Sequence, residues 1–190
     1  MKVGLYFGSF NPIHIGHLAI ANYIVEYTEI EKLWFVISPH NPLKKKNTLL
    51  NDYDRFELVY RSIKDDARFE ASDIEFRMPK PSYTIDTLAY LDEKQSGNEY
   101  CLIMGSDGLT TFNKWKNAEE IVKRYHRYVY PRPGTPKEEY NNHKNITVVD
   151  APLMEISSSF IRAALAEGKD VQYFIPREAY QYIMQKGFYQ

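Results

Sequence analysis

The opening stretch KVGLYFGSFNPIHIGHLAIANYIVEY constrains the fold more than any other part of the chain. Lys2 to Phe7 is a short apolar run closed by Gly8, the pattern of a buried strand. HLAIANYIVEYT then sets Leu18, Ala21, Ile24 and Val25 on one helical face. Between them lies GSFNPIHIGH, a single turn with two glycines, a proline and two histidines three apart, more than a loop needs in order to fold. LWFVIS at 33–38 is a second apolar run, closed by Pro39 and Pro42. Strand, helix and strand make a βαβ unit, and such crossovers are right-handed.

The alternation continues. After a lysine-rich loop at 40–50, Phe56, Val59, Tyr60 and Ile63 fall at i, i+3, i+4 and i+7 and predict a helix over 52–64. FEASDIEF at 69–76 predicts a strand, and Pro79 and Pro81 stop it. Ile85, Leu88 and Leu91 predict a helix from Thr84 to Lys94, capped by Ser82 or Thr84. YCLIMGSD again runs an apolar strand into glycine, and NAEEIVKRY reads as a helix with Asn117 as N-cap and Glu119 and Glu120 in its first turn. HRYVYPRPG and ITVVDAP supply two further strands. SSSFIRAALAEG is a serine-capped helix ending at Gly168, and PREAYQYIMQKG another, with Pro176 at its first position and Gly187 just past its end. Strands alternating with helices imply an α/β fold, a Rossmann-like doubly wound sheet, mostly parallel, with helices on both faces and ligands at the C-terminal strand edge. GSFNPIHIGH falls at that edge. A length of 190 residues suits one domain over 1–190.

A formal net charge of -1 argues against a nucleic-acid coat protein. Cys101 is the only cysteine, so the chain makes no internal disulfide and no thiolate-rich metal site, which suits the cytoplasm. No basic-then-apolar leader and no membrane-length apolar segment is read from the sequence.

The turn has a chemical logic. Gly8 lets the chain leave its strand in a conformation that other residues resist, and Gly16 lets the helix start come close to a ligand. Free N–H groups at that start, with the helix dipole, attract phosphate. His14 and His17 add two imidazole donors to one side. Taken singly, either histidine reads as well as a cap or a satisfied core group; together with the glycines they favour function. Farther on, ISSSFIR at 156–162 gathers the hydroxyls of Ser157, Ser158 and Ser159 with Arg162, whose fixed charge suits a pyrophosphate. The plainer alternative is a serine N-cap beside a solvated arginine.

HIGH within GSFNPIHIGH matches the HxGH signature of the nucleotidylyltransferase superfamily, shared with the smaller class of aminoacyl-tRNA synthetases. The length leaves little room for a tRNA-binding module, and ISSSFIR stands in place of a KMSKS-like stretch. The chain resembles the bacterial nicotinate-nucleotide adenylyltransferases over nearly its whole length. The likeness is carried by GSFNPIHIGH, WFVISPHNPLKKK, PSYTIDTL, GSDGLTTFNKW, ISSSFIR and VQYFIPREAYQYIMQKGFY, with PSYTIDTL and GSDGLTTFNKW pointing to the nicotinate branch. Position 106 is Ser where the resemblance leads one to expect Ala.

The resemblance implies adenylyl transfer from ATP to nicotinate mononucleotide, releasing pyrophosphate, in NAD biosynthesis. His14, His17 and Arg162 would be catalytic. ATP would meet Gly8, Ser9, Phe10, Gly16, Lys44, Gly105, Asp107, Ile156, Ser158 and Ser159, with residues from about 157 to 190 completing the nucleotide site. Nicotinate mononucleotide would meet Thr84, Thr87, Trp115 and Lys116. Trp115 is the stacking platform for the cationic pyridine ring, or else a core tryptophan anchoring a loop. Backbone N–H groups near Thr84 and Lys116 would accept the nicotinate carboxylate. Asp107 would take a ribose hydroxyl or cap a helix. The run Lys44, Lys45, Lys46 reads either as a solvated loop face or as a phosphate contact, with Lys44 preferred. Mg²⁺ would arrive on the ATP oxygens, no nucleic acid or membrane partner is expected, and a homo-oligomer is left open. The competing readings are an adenylyltransferase for phosphopantetheine or nicotinamide mononucleotide, and a nucleotide sensor without turnover.

Overall fold

The computed structural model describes residues 1–39, 49–135 and 143–190. Six strands form one sheet: β1 (Lys2–Gly8), β2 (Lys32–Ile37), β3 (Phe69–Ser72), β4 (Glu99–Gly105), β5 (Arg127–Tyr130) and β6 (Ile146–Val148). Their order is β3-β2-β1-β4-β5-β6, and every pairing is parallel. Among the described residues six α-helices accompany them: α1 (Ile15–Tyr27), α2 (Asp52–Ile63), α3 (Thr84–Lys94), α4 (Ala118–Arg124), α5 (Ser158–Ala166) and α6 (Arg177–Lys186).

Side chains on a strand alternate between faces, so a sheet buried on both sides must be apolar throughout. Leu33, Phe35 and Ile37 of β2 join one core with Cys101 and Ile103 of β4, packed under α1, α2, α5 and α6. Trp34 and Val36 join the other with Val3, Leu5, Leu102 and Val129, under α3 and α4. The helices therefore cover both faces, as expected. Chain progression reverses between β1 and β4, and the crevice at the carboxyl ends of these two strands is where such folds take ligands.

Several local expectations are corrected. Strand β3 ends at Ser72 rather than 76, and Ile74–Arg77 forms a 3₁₀ turn that carries Glu75 into the interior. Tyr83, not Ser82 or Thr84, is the N-cap of α3, and Thr84 is its first helical residue. Asn117 does precede α4, but at φ 51° and without a capping side-chain hydrogen bond. Pro176 stands at the N-cap of α6 rather than one position inside. Gly187 ends that helix at φ 66°, the left-handed conformation expected of a terminating glycine.

Candidate active site

The turn after β1 is shaped by what a Cβ would strike. At Gly8 it would meet the Phe10 ring at 2.8 Å, and at Gly16 the His14 ring at 3.0 Å. Each glycine thus makes room for an aromatic or imidazole ring of the same turn. Phe10 itself is buried at φ 44°, a region that non-glycine residues seldom occupy.

His14 and His17 stack with ring centroids 3.7 Å apart. The His14 backbone N–H donates to His17 Nδ1 at 3.2 Å, so that nitrogen holds a lone pair and the proton of the neutral ring belongs on Nε2. The His14 ring is 4% exposed, and its Nδ1 has no hydrogen-bond partner among the described residues. Burial and the nearby Arg132 charge push its pKa down to about 4, so His14 is a neutral donor or acceptor at ordinary pH. Its Nδ1 faces the start of α1, 3.0 Å from where a Gly16 Cβ would stand.

The C-terminal segment closes over this turn. Ser157 caps α5 through the Phe160 N–H, which aims the helix start inward. Ser158 Oγ donates to the Pro12 carbonyl at 2.9 Å, and Arg162 Nη1 donates to the Asn11 carbonyl at 2.8 Å. Arg162 Nη2 also donates to Ser159 Oγ at 3.3 Å. The result is a cleft of about 500 Å³ lined by Gly8, Ser9, Phe10, His14, His17, Ile156, Ser157, Ser158, Ser159 and Arg162, with Tyr6, Tyr130 and Arg132 among the other walls. The tyrosine hydroxyls of Tyr6 and Tyr130 meet at 3.0 Å in its floor. Gly16 is buried at the start of α1 behind His14.

Beside it, a second pocket is lined by Asp107, Arg132, Met154, Glu155, Ile156 and Ser157. Gly105 ends β4 next to it; a Cβ there would strike Asp107 Oδ1. The Asp107 carboxylate makes no helix-capping bond and lies 3.9 Å from Arg132 Nε, well exposed. A third group gathers at the start of α3. Lys116 Nζ pairs with Asp86 at 2.8 Å and lies 4.7 Å from the Tyr83 ring centroid, which brings the Lys116 segment to the Thr84 helix start. Trp115 is half-buried with its ring 5.2 Å from that of Phe112. Thr87 is fully buried, and its hydroxyl donates to Glu75 Oε1 at 2.8 Å, so its side chain is already engaged. Lys44 lies outside the described residues.

Residues that sequence reading passed over complete the picture. Arg132 follows β5 after Pro131 and lines both pockets; a basic residue within PRPG just past a strand's carboxyl end was the available signal. The Ser106 hydroxyl, fully buried, accepts the Arg132 backbone N–H at 2.9 Å, which gives the departure from Ala a structural task. Asn11 Oδ1 accepts from Leu50 N–H and from the Tyr189 hydroxyl at 2.7 Å. Among the described residues no group of three or more His, Cys, Asp or Glu side chains is arranged to hold a metal ion.

Residues 5–164 match the cytidylyltransferase-like family. A probable nicotinate-nucleotide adenylyltransferase of Flavobacterium johnsoniae is 49% identical over 100% of this chain and 99% of its own length. The chain belongs to the nicotinate-nucleotide adenylyltransferase family. The corresponding protein of Christiangramia forsetii is 48% identical over 99% of this chain and 98% of its own. A solved nicotinic acid mononucleotide adenylyltransferase of Plasmodium falciparum, complexed with NaAD, superposes with a TM-score of 0.85 at 20% identity, covering 99% of this chain and 97% of that one. At that identity the structural likeness establishes the fold, and the bacterial relatives establish the family.

Proposed function

We propose that the cleft between the β1 turn and α5 is where this nicotinate-nucleotide adenylyltransferase joins ATP to nicotinate mononucleotide. Residues 1–190 then act as one catalytic domain, with residues from about 157 onward completing the nucleotide site. The observation that carries the reading is the meeting of His14 and His17 with Arg162 in one cleft, fastened by the Ser158 and Arg162 bonds to the turn.

The mononucleotide 5′-phosphate has a second pKa of about 6 and is mostly dianionic at neutral pH, so it attacks without a general base. Its oxygen forms a bond to the α-phosphorus of ATP as the bond to the bridging oxygen breaks, and the electron pair leaves with pyrophosphate. What the protein supplies is alignment of two polyanions and relief of the charge that builds on the departing group. His17 Nε2–H and the neutral His14 ring serve the ATP phosphates as donors; Ser158, Ser159 and Arg162 hold the leaving pyrophosphate. Arg132, which the sequence reading did not assign, adds a second fixed positive charge to the cleft lining. Gly8, Ser9, Phe10 and Gly16 allow close approach of the triphosphate. Gly105, Asp107 and Ile156 border the nucleoside end, and the exposed Asp107 carboxylate is free of capping duty to take a ribose hydroxyl.

Mg²⁺ comes as part of the substrate, carried on the ATP oxygens. Nicotinate mononucleotide lies toward the start of α3, where Thr84 and Lys116 approach each other and Trp115 offers a ring face. Helix-start N–H groups there donate to both oxygens of a carboxylate, whereas a neutral amide offers one acceptor oxygen and turns an NH2 group, donor to donor, toward the rest. Thr87 supports this helix start through Glu75 rather than by direct contact. A cytoplasmic setting suits the one buried cysteine, and the protein needs neither nucleic acid nor membrane; among the described residues no helix is long and apolar enough to cross one.

Pyrophosphate release with Mg-ATP and each mononucleotide tests the reading. Release with the nicotinate acceptor well above that with the amide is expected. Equal rates would defeat the acceptor assignment, and no release with any acceptor would favour a sensor.

A further inference from the structure

Arg55, on α2, is a fully buried arginine with all of its donors used. Nε donates to the Leu50 carbonyl at 3.1 Å. Nη1 donates to the carbonyls of Ser9 at 2.7 Å and Ser38 at 2.8 Å. Nη2 donates to the Pro39 carbonyl at 2.9 Å and to Asp52 Oδ1 at 2.7 Å. Five acceptors matching the five N–H groups of one planar fork is a fit that lysine, a point donor, cannot reproduce. Four of the five are backbone carbonyls, and they come from three places: the turn after β1, the end of β2 and the entry to α2.

The bond to Ser9 has a particular effect. In a trans peptide the carbonyl and the following N–H point in opposite directions, so a Ser9 carbonyl held on Arg55 turns the Phe10 N–H away from it. Phe10 is the residue at positive φ. On its other side the Asn11 carbonyl is held by Arg162. Two guanidinium groups therefore hold the turn around a residue whose backbone would not choose this conformation unaided: Arg55 grips the Ser9–Phe10 peptide that adjoins it, and Arg162 the Asn11–Pro12 peptide one residue further on. The Phe10 ring in turn stands edge-on to His17 at 5.1 Å and to Tyr6 at 5.7 Å.

We propose that Arg55 is a positioning residue for adenylyl transfer: by holding the Ser9, Ser38, Pro39 and Leu50 carbonyls in one arrangement, it keeps Phe10 and the His17 ring in the geometry that receives the ATP phosphates. It touches no substrate and acts through the turn. The inference rests on the reading of this cleft as the phosphate site.

The test is steady-state kinetics of Arg55→Lys beside His17→Ala, at a temperature where circular dichroism shows both folded. A misplacement near 1 Å costs on the order of 100-fold in kcat/KM for ATP. For Arg55→Lys the freed Ser9–Phe10 backbone, which displaces the whole turn rather than removing one donor, should raise the KM for ATP about tenfold while the KM for nicotinate mononucleotide moves less than about twofold. A role in stability alone lowers the active fraction and leaves both KM values in place, and that result overturns the proposal. If His17→Ala turns over like the unaltered enzyme, the site reading itself fails. If His17→Ala is crippled while Arg55→Lys keeps both KM values and kcat, the Arg55 proposal fails alone. Should Arg55→Lys not fold, Asp52→Asn, which weakens the side-chain acceptor on Nη2 and otherwise only an exposed pair with Lys80, decides instead. A rise of about threefold in the KM for ATP supports the proposal, and no change overturns it.

Discussion

Arg162 Nη1 donates to the main-chain carbonyl of Asn11 at 2.8 Å, joining positions 151 apart in the sequence. Through this bond a permanent charge on α5 and the two imidazoles of the opening turn share one cleft. The arginine has a second task in the same place, since its other amino group reaches Ser159.

His17→Ala removes a donor whose ring is already oriented by the His14 N–H. Loss of one preorganised donor to a developing charge lowers kcat by about 10²–10³-fold. Turnover should fall by that order with modest change in the KM for ATP, measured by pyrophosphate release.

Gly16→Ala places a methyl 3.0 Å from two atoms of the His14 ring, which is held between that backbone and the His17 ring. The ring has to rotate, and kcat should drop about tenfold or more. Circular dichroism should show the fold retained, because the displaced group is a single side chain.

His14 supplies a pH dependence of definite sign. Its native pKa of about 4 lies below the ordinary value of 6.5, so the unfolded chain binds the proton more readily. Stability is therefore fully present above about pH 6.5 and declines as pH falls through 4. Between pH 7 and pH 4 the unaltered protein should lose about 3 kcal/mol more than His14→Gln does, read from urea denaturation at both values. Equal losses would show that His14 is not held neutral.

Ser106→Ala removes the acceptor for the Arg132 backbone N–H. Stability should fall by about 1 kcal/mol in thermal or urea unfolding. The released segment carries Arg132 along the cleft wall, so kcat/KM for ATP should fall by several-fold, while the KM for nicotinate mononucleotide stays near its original value.

Much of this was legible in the sequence because it was local. The strand, glycine turn and helix at the amino end, the apolar alternation of the sheet and the serine cap of α5 each depend on neighbours a few residues away. The 3₁₀ turn at Ile74–Arg77 was not legible. An apolar and acidic alternation suits a strand equally well, and only the buried bond from Thr87 to Glu75 distinguishes the two. Arg55 and Asn11 were missed for a related reason. Four of the five Arg55 partners are backbone groups, which every residue carries, and the Asn11 partners Arg162 and Tyr189 lie 151 and 178 positions away, so nothing in residue type announces either. Arg132 escaped because its place depends on Ser106, 26 positions earlier.

The abundance of tyrosine, opaque in the sequence, also acquires a partial explanation. Tyr125 donates to Asp92, Tyr180 to Asp170, Tyr182 to Asp54 and Tyr189 to Asn11, while Tyr6 and Tyr130 meet each other. Each ring fills space between elements and its hydroxyl fastens to a polar group on another segment.

A chain emerging from the ribosome displays its opening turn early, yet the groups that grip Asn11 from the far end arrive 151 and 178 positions later. Until Arg162 has left the exit tunnel and folded back, a nascent polypeptide has half a nucleotide pocket.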